Sequence, residues 1–370
     1  MDFRFLELEE LSQAVALADA IFRKNGGKSM GDSFPSIFQP GIGHSVGAFH
    51  EERLVSFVGL VPQRINVGPA ALRVFSMGAV CTDIAYRGQG LAGKLVAMAK
   101  RHAIEAGASL LFVSGTRSLY VRADCYKFGA FRRFQYSAVT DQSFQAADGK
   151  EVRLLESRDL FRMHELAAAR TVTFEQSVSE LQLLLHAAAY ASCSGMLHQT
   201  WVAYSEEEMS GYVILAVSGE EERDGRGAFV VEWGGKPDSV TAIVMHAIKQ
   251  AGHTDLHMKV GWHEEELADQ LRAAGWGESL EGNSGTVCVL DSAELFRQAV
   301  PYWEAEHGLT DVSSSFGRDG MYEVRQMGRN TAVTASKLVE LLFQPRSGRW
   351  EDGDGLPPIP LPYMSGLHFI

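Results

Sequence analysis

The sequence predicts an α+β fold with mixed sheets, and three observations predict it. Strands joined by tight turns fill residues 47–82. They lead into a strand–turn–helix–strand unit over residues 80–114. A similar order of elements returns between residues 151 and 290. Hydropathy period separates the two kinds of element, near 3.6 for helices and 2 for half-buried strands.

Residues 6–24 place Leu11, Ala14, Val15, Leu17, Ala18, Ile21 and Phe22 at helical spacing, and Asn25-Gly26-Gly27 ends the run. Residues 47–50 and 54–67 are expected strands across a Glu51-Glu52 turn. Gly68-Pro69 turns again, and residues 72–82 return as a strand. That strand runs into Asp83-Ile84-Ala85-Tyr86-Arg87-Gly88-Gln89-Gly90-Leu91-Ala92, where a helix is expected to begin. Residues 109–114 form a second apolar strand, and residues 133–139 are expected to close this sheet.

A strand, a glycine-containing turn and a helix start make an anion holder. Unpaired N–H groups of the first helical turn point at the ligand, and the helix dipole adds about half a positive charge there. Gly88 and Gly90 let the backbone approach without a Cβ in the way. Charge agrees with this reading. Residues 87–133 hold nine basic side chains (87, 94, 100, 101, 117, 122, 127, 132, 133) against Glu105 and Asp124, in a chain of net charge −12. A basic island in an acidic protein suits a polyanion. Lys100 and Arg101 read instead as a solvated helix face. The turn is neither GxxxxGK[ST] nor GxGxxG.

The pattern Arg87-x-x-Gly90-x-Ala92 resembles the acyl-CoA pyrophosphate loop of the GNAT superfamily of N-acetyltransferases, [RQ]-x-x-G-x-[GA]. The resemblance implies that Val80, Cys81, Thr82, Arg87, Gly88, Gln89, Gly90, Leu91, Ala92 and Ser114 contact acetyl-CoA as acyl donor. It also implies a tyrosine acid after the second strand, in a pattern like Y-x-[KR]-x-G-[FY]. Tyr120-Val121-Arg122-Ala123-Asp124-Cys125 fits at the tyrosine and the basic residue, and departs at Asp124 and Cys125. Tyr126-Lys127-Phe128-Gly129 is the other register, with the wrong tyrosine-to-glycine spacing. A phenol with an ordinary pKa near ~10 can protonate a thiolate whose acid lies at roughly 8.5–10. A backbone N–H at the end of the Val80–Thr82 stretch would meet the developing oxyanion. The competing reading of Tyr120 is a packing residue with its hydroxyl at the surface.

The rest of the chain resembles Eis-like aminoglycoside acetyltransferases in three-part order. That gives a catalytic GNAT domain (1–145), a degenerate second GNAT-like domain (146–285) and a reduced α/β sterol-carrier-like domain with a docked tail (286–370). In the second part, Gly234-Gly235-Lys236-Pro237-Asp238 replaces the anion turn, and Asp238 would repel a pyrophosphate. In the third, strands are expected near 287–290 and 321–327, helices at 293–300 and 335–343, and an extended crossover over 348–362. The resemblance makes the terminal carboxylate of Ile370 a base; a terminus anchored only by Leu367 and Phe369 is the alternative. Residues 26–43, with Phe34, Pro35, Phe38 and Pro40, lie where the acceptor segment would be.

Other features narrow the reading. His164-Glu165 and His263-Glu264 lack the second histidine of HExxH and read as solvated helix faces, and no metal site is expected. Cysteines 81, 125, 193 and 288 are scattered without CxxC spacing, which suits a reducing compartment. Met1-Asp2-Phe3-Arg4 has no signal-peptide pattern and no run reaches membrane-spanning length, so a cytoplasmic protein without a membrane partner is expected. Net charge opposes nucleic acid. The function expected is acetyl transfer to a primary amine of a small molecule or peptide, by direct attack in a ternary complex. The alternative is an inactive acyl-CoA-binding sensor or interaction protein. The resemblance leaves a homo-oligomer open.

Overall fold

The computed structural model describes residues 1–23, 26–41, 43–137, 150–219, 227–251, 255–345 and 355–370. They fold into two compact units. One comprises Met1–Gly129, Asn283–Met364 and Ile370; the other comprises Ala130–Gly282 and Ser365–Phe369. The boundary expected between 145 and 146 lies outside the described residues, as do residues 138 and 139 of the strand expected to close the first sheet.

The first unit opens with strand β1 (Asp2–Phe5), helix α1 (Leu11–Phe22) and two short helices, α2 (Met30–Ser33) and α3 (Pro35–Phe38). Strands β2 (Val46–His50), β3 (Arg53–Val67) and β4 (Ala70–Thr82) follow, then α4 (Leu91–Glu105), β5 (Leu110–Val113) and α5 (Ser118–Val121). The helix expected from residue 6 starts later, because residues 8–10 form a separate 3₁₀ turn and residues 2–5 pair with β2. α4 turns Leu91, Leu95, Val96, Ala99 and Ala103 inward, a stripe at three- and four-residue spacing. These side chains form one core with Val46, Val58, Leu60, Phe75, Met77 and Leu111.

The second unit contains β6 (Phe131–Ser137), β7 (Lys150–Leu154), α6 (Leu160–Ala168), β8 (Val172–Phe174), α7 (Val178–Ala187) and α8 (Ala189–Ser192). It continues with β9 (Met196–Ser205), β10 (Glu208–Ser218), β11 (Ala228–Gly235), α9 (Pro237–Ala251), β12 (Asp255–Gly261), α10 (Glu265–Ala273) and β13 (Gly277–Glu281). Its sheet runs β13-β6-β12-β11-β10-β9-β7. The chain then rejoins the first unit with β14 (Thr286–Val289), α11 (Ser292–His307), β15 (Val312–Phe316), β16 (Tyr322–Gln326), β17 (Arg329–Val333) and α12 (Ala335–Phe343).

One expectation fails here. The strand at 133–139 was to close the first sheet. Instead β6 pairs with β12 and β13 in the second unit, and β14 pairs with β5 in the first, which runs β1-β2-β3-β4-β5-β14. Strand edges are satisfied by whichever chain segment reaches them, so nearness in sequence does not decide the partner.

α11 also runs further than expected. It continues through Pro301 to His307, although proline lacks the N–H that would bond back one turn. Burial of Leu295, Phe296, Ala299, Tyr302 and Trp303 holds it, and the Trp303 indole N–H donates to the Pro357 carbonyl at 2.9 Å. The helix is joined to the first sheet through Gln298. Its side-chain oxygen accepts from the Arg73 N–H at 2.9 Å and from the Ser109 hydroxyl at 2.8 Å. No helix among the described residues is long and apolar enough to cross a membrane.

Candidate active site

The site begins where β4 and β5 part. They pair in parallel from Val74↔Leu110 to Met77↔Val113, and the Ser114 N–H reaches back to the Met77 carbonyl at 3.2 Å. β4 then continues to Thr82 without β5 beside it. A bulge bends it at this point. Register against β3 slips between Gly59↔Gly78 and Phe57↔Cys81, and Ala79 has φ +49°. A bulge next to a parting pair turns backbone N–H groups away from the ladder and into the opening.

Each arm of this fork carries a glycine just past the last paired residue, and each glycine seats something. A Cβ on Gly78 would run into the backbone carbon and oxygen of Ile370. A Cβ on Gly115 would lie 2.6 Å from the Tyr120 ring. Neither glycine was singled out in the sequence. Their signal is a small residue following an apolar strand, which is weak until a partner is known.

Downstream of β4, Asp83 caps the 3₁₀ turn by accepting from the Ala85 N–H at 2.9 Å, and it pairs with Arg53. Gly88 and Gly90 adopt φ +79° and +76°, so the turn needs glycine for its backbone as well as for access. Gly90 is the N-cap of α4 and provides no side-chain cap, and no acid lies in the first turn. The Lys94 N–H closes the first helical bond on the Gly90 carbonyl at 3.2 Å. The amides of Leu91, Ala92 and Gly93 precede it and have no carbonyl one turn back.

A cavity of about 1100 Å³ runs from the end of β4 past the start of α4 to Tyr120. Val80, Cys81, Thr82, Arg87, Gly88, Gly90, Leu91, Ala92 and Tyr120, all singled out in the sequence, line it. Gln89, Ser114 and Ile370 are not among its lining residues; Ile370 lies against Gly78 instead. The Ser114 hydroxyl points back to the Met77 carbonyl at 3.5 Å. Lys100 and Arg101, read from sequence as a solvated helix face, do line it, with Arg117 and Arg122. The Lys100 ammonium donates to the Ala123 carbonyl at 2.6 Å, which draws the helix face toward the α5 loop.

Tyr120 is 6% exposed and turns toward this cavity. Burial raises its pKa; Arg117 opposes the rise and Cys125 adds to it. The phenol therefore keeps its proton at neutral pH. Asp124, where the motif has glycine, adopts φ +59° and so preserves the left-handed backbone that glycine would supply. Tyr126 is outside the cavity lining, and its hydroxyl donates to Asp124 at 3.4 Å. Burial pushes the Cys81 thiol up to about 12, against the pull of Arg87, so this cysteine stays protonated and is a poor nucleophile.

Residues 2–128 match the family described as acetyltransferase (GNAT) domain. No curated protein matches the chain in sequence. Solved structures similar in fold include a GCN5-related N-acetyltransferase from Anabaena variabilis, at 14% identity and TM-score 0.65, covering 92% of this chain and 89% of that one. Another is Eis1 from Mycobacterium abscessus, at 11% identity and TM-score 0.64, covering 92% and 89%. A third is a probable N-acyltransferase from Enterococcus faecalis, at 13% identity and TM-score 0.63, covering 90% and 85%. These likenesses extend beyond residues 2–128 and describe fold.

The two histidine–glutamate pairs also find places. His164 Nε2 lies 2.8 Å from the Gln176 carbonyl. His263 and Glu264 precede α10 and are largely buried, contrary to the solvated face expected. Glu264 accepts from Arg170 at 2.8 Å, and Arg170 also pairs with Glu232 and lies over the Trp233 ring. The partner that buries Glu264 is over ninety residues away in sequence, which is why the local pattern misled.

Proposed function

We propose that the protein is an acyl-CoA-dependent N-acyltransferase that moves an acetyl group from acetyl-CoA to a primary amine. The observation that carries this reading is the fork between β4 and β5, where Gly115 seats Tyr120 and Gly78 seats the carboxyl end of Ile370. One arm presents an acid and the other a candidate base.

The donor set fits acetyl-CoA. Uncapped amides of α4 and the cations Arg87, Lys100, Arg101, Arg117 and Arg122 suit a pyrophosphate and further phosphate charge. The acceptor amine attacks the thioester carbonyl. An N–H of the bulged β4 segment near Val80 receives the developing oxyanion. The Ile370 carboxylate, directly or through water, takes the ammonium proton. Tyr120 gives its proton to the departing thiolate, so charge does not build up in the cleft. With Cys81 held as a thiol, direct transfer in a ternary complex is favoured over a covalent acyl-enzyme.

The wider organisation belongs to the same proposal. We read the second unit as a degenerate GNAT-like domain. Residues 286–370 then form a reduced sterol-carrier-like part with a docked tail, built on the β15-β16-β17 sheet and helices α11 and α12. The alternative, an inactive sensor, draws on Asp124 and Cys125 at a motif position and on the degenerate second half; the left-handed backbone of Asp124 answers the first of these.

The test is turnover of an amine panel with acetyl-CoA by the wild-type protein and by Tyr120→Phe. Loss of about 10²–10⁴ in kcat, with little change in KM for acetyl-CoA, supports the assignment. Wild-type turnover by Tyr120→Phe would sink it.

A further inference from the structure

Residues 283–286, Asn-Ser-Gly-Thr, bring the chain into β14 and touch the β5 arm of the fork and the C-terminal tail. Asn283 is buried. Its amide nitrogen donates to the Pro362 carbonyl at 2.9 Å, and its oxygen accepts from the Met364 N–H at 3.0 Å and the Ser284 N–H at 2.8 Å. One side chain thus brackets the tail that ends at Ile370. Three residues on, the Thr286 hydroxyl donates to the Gly115 carbonyl at 3.0 Å. Between them Gly285 has φ +80°, and a Cβ there would run into the carbonyl of Val113, the last paired residue of β5.

We propose that this turn positions both reacting groups: Asn283 fixes the tail bearing the Ile370 carboxyl, and Thr286 fixes the Gly115 platform under Tyr120. The inference rests on the reading of Tyr120 as acid and Ile370 as base. Its physical ground is that neither group is held by a long element. Tyr120 stands on α5, a single four-residue turn, and Ile370 ends a segment with no regular secondary structure. A displacement of about 1 Å at either can cost as much as ~10²-fold in rate. Fixing both from one four-residue stretch ties the separation of acid and base to one local geometry.

The experiment measures kcat and KM for acetyl-CoA in Asn283→Ala and Thr286→Val. Each is expected to lose about ten- to a hundredfold in kcat with KM within about twofold. Thr286→Ser keeps the hydroxyl and is expected to restore turnover. Where Asn283→Ala does not fold, Asn283→Asp keeps the acceptor for Met364 and removes the donor to Pro362, and replaces it.

The decisive readout is additivity. In Tyr120→Phe, Thr286→Val is expected to cost nothing further, and in a chain lacking Ile370, Asn283→Ala is expected to cost nothing further. Full additive losses in those backgrounds mean a merely structural role and overturn the inference. An inactive Tyr120→Phe beside a Thr286→Val of wild-type kcat overturns this inference alone. A fully active Tyr120→Phe overturns the functional reading and this inference with it.

Discussion

The two units each contain a parallel strand pair that parts and a turn leading into a helix, yet the two helix starts differ. In the first, β4 and β5 part after Met77 and Val113, and α4 starts with free amides and no acid. In the second, among the described residues, β11 and β12 pair at Ala228↔Leu256 and Phe229↔His257 before parting. There the Lys236 N–H is already bonded to the Ser210 carbonyl at 2.8 Å, and Asp238 stands in the first turn of α9. The second unit also packs part of the tail. The Leu367 N–H bonds the Glu232 carboxylate, Leu367 joins the core that includes Val231, and His368 stacks on Phe174 at 4.6 Å. Similar architecture therefore does not determine chemistry. Charge at the helix start, and what fills the parting strands, do.

Five substitutions would break or sharpen this contrast, beginning with the largest. Arg170→Met leaves Glu232 and Glu264 without their cation, and is expected to cost about 3–5 kcal/mol in denaturant unfolding of the second unit. Acetyl-CoA affinity of the remaining folded protein should not change; a loss of affinity would mean that the second unit takes part in donor binding. Gly115→Ala should push the Tyr120 ring aside and Gly78→Ala the carboxyl end of Ile370. Each should lower kcat by about ten- to a hundredfold while acetyl-CoA still binds in equilibrium titration.

Acid should weaken the second unit through its buried histidines. Burial lowers the pKa of His368 to about 3 and, with Arg133 and Lys259 nearby, that of His257 to about 4. Between the ordinary value of ~6.5 and these folded values, the unfolded chain binds protons that the folded chain does not. Stability is therefore complete above about 6.5 and falls as pH drops, by up to ~1.4 kcal/mol per unit for each fully titrating group. His368→Gln should flatten the slope of unfolding free energy against pH between about 4 and 6.5, and an unchanged slope would contradict the assignment. The smallest effect belongs to Asp238→Asn. Its Lys150 pair is half open to solvent, so stability should change by less than ~1 kcal/mol. It should not gain an acetyl-CoA site, because the Lys236 amide remains bonded.

How much of this was legible from residues alone depends on distance along the chain. The turn Arg87–Gly90 could be read because its chemistry is local: glycines for backbone, unpaired amides, and no nearby acid. Most hairpins and helices could be read for the same reason. The bulge at Ala79 could not, since alanine carries no mark of a left-handed backbone. The destinations of β6 and β14 depend on edges supplied from elsewhere in the chain. The helix expected over 293–300 runs on to His307, because burial of Tyr302 and Trp303 carries it past Pro301. Lys100 and Arg101 read as solvent-facing because the wall opposite them, from Arg117 to Asp124, is a separate segment.

The most direct measurement is calorimetric titration of acetyl-CoA into the wild-type protein, Gly90→Glu and Asp238→Asn. The prediction is one equivalent bound by wild type, none by Gly90→Glu, and one still by Asp238→Asn. Binding that survives Gly90→Glu, or two equivalents in the wild type, would contradict the claim that the first unit's turn alone holds the acyl donor.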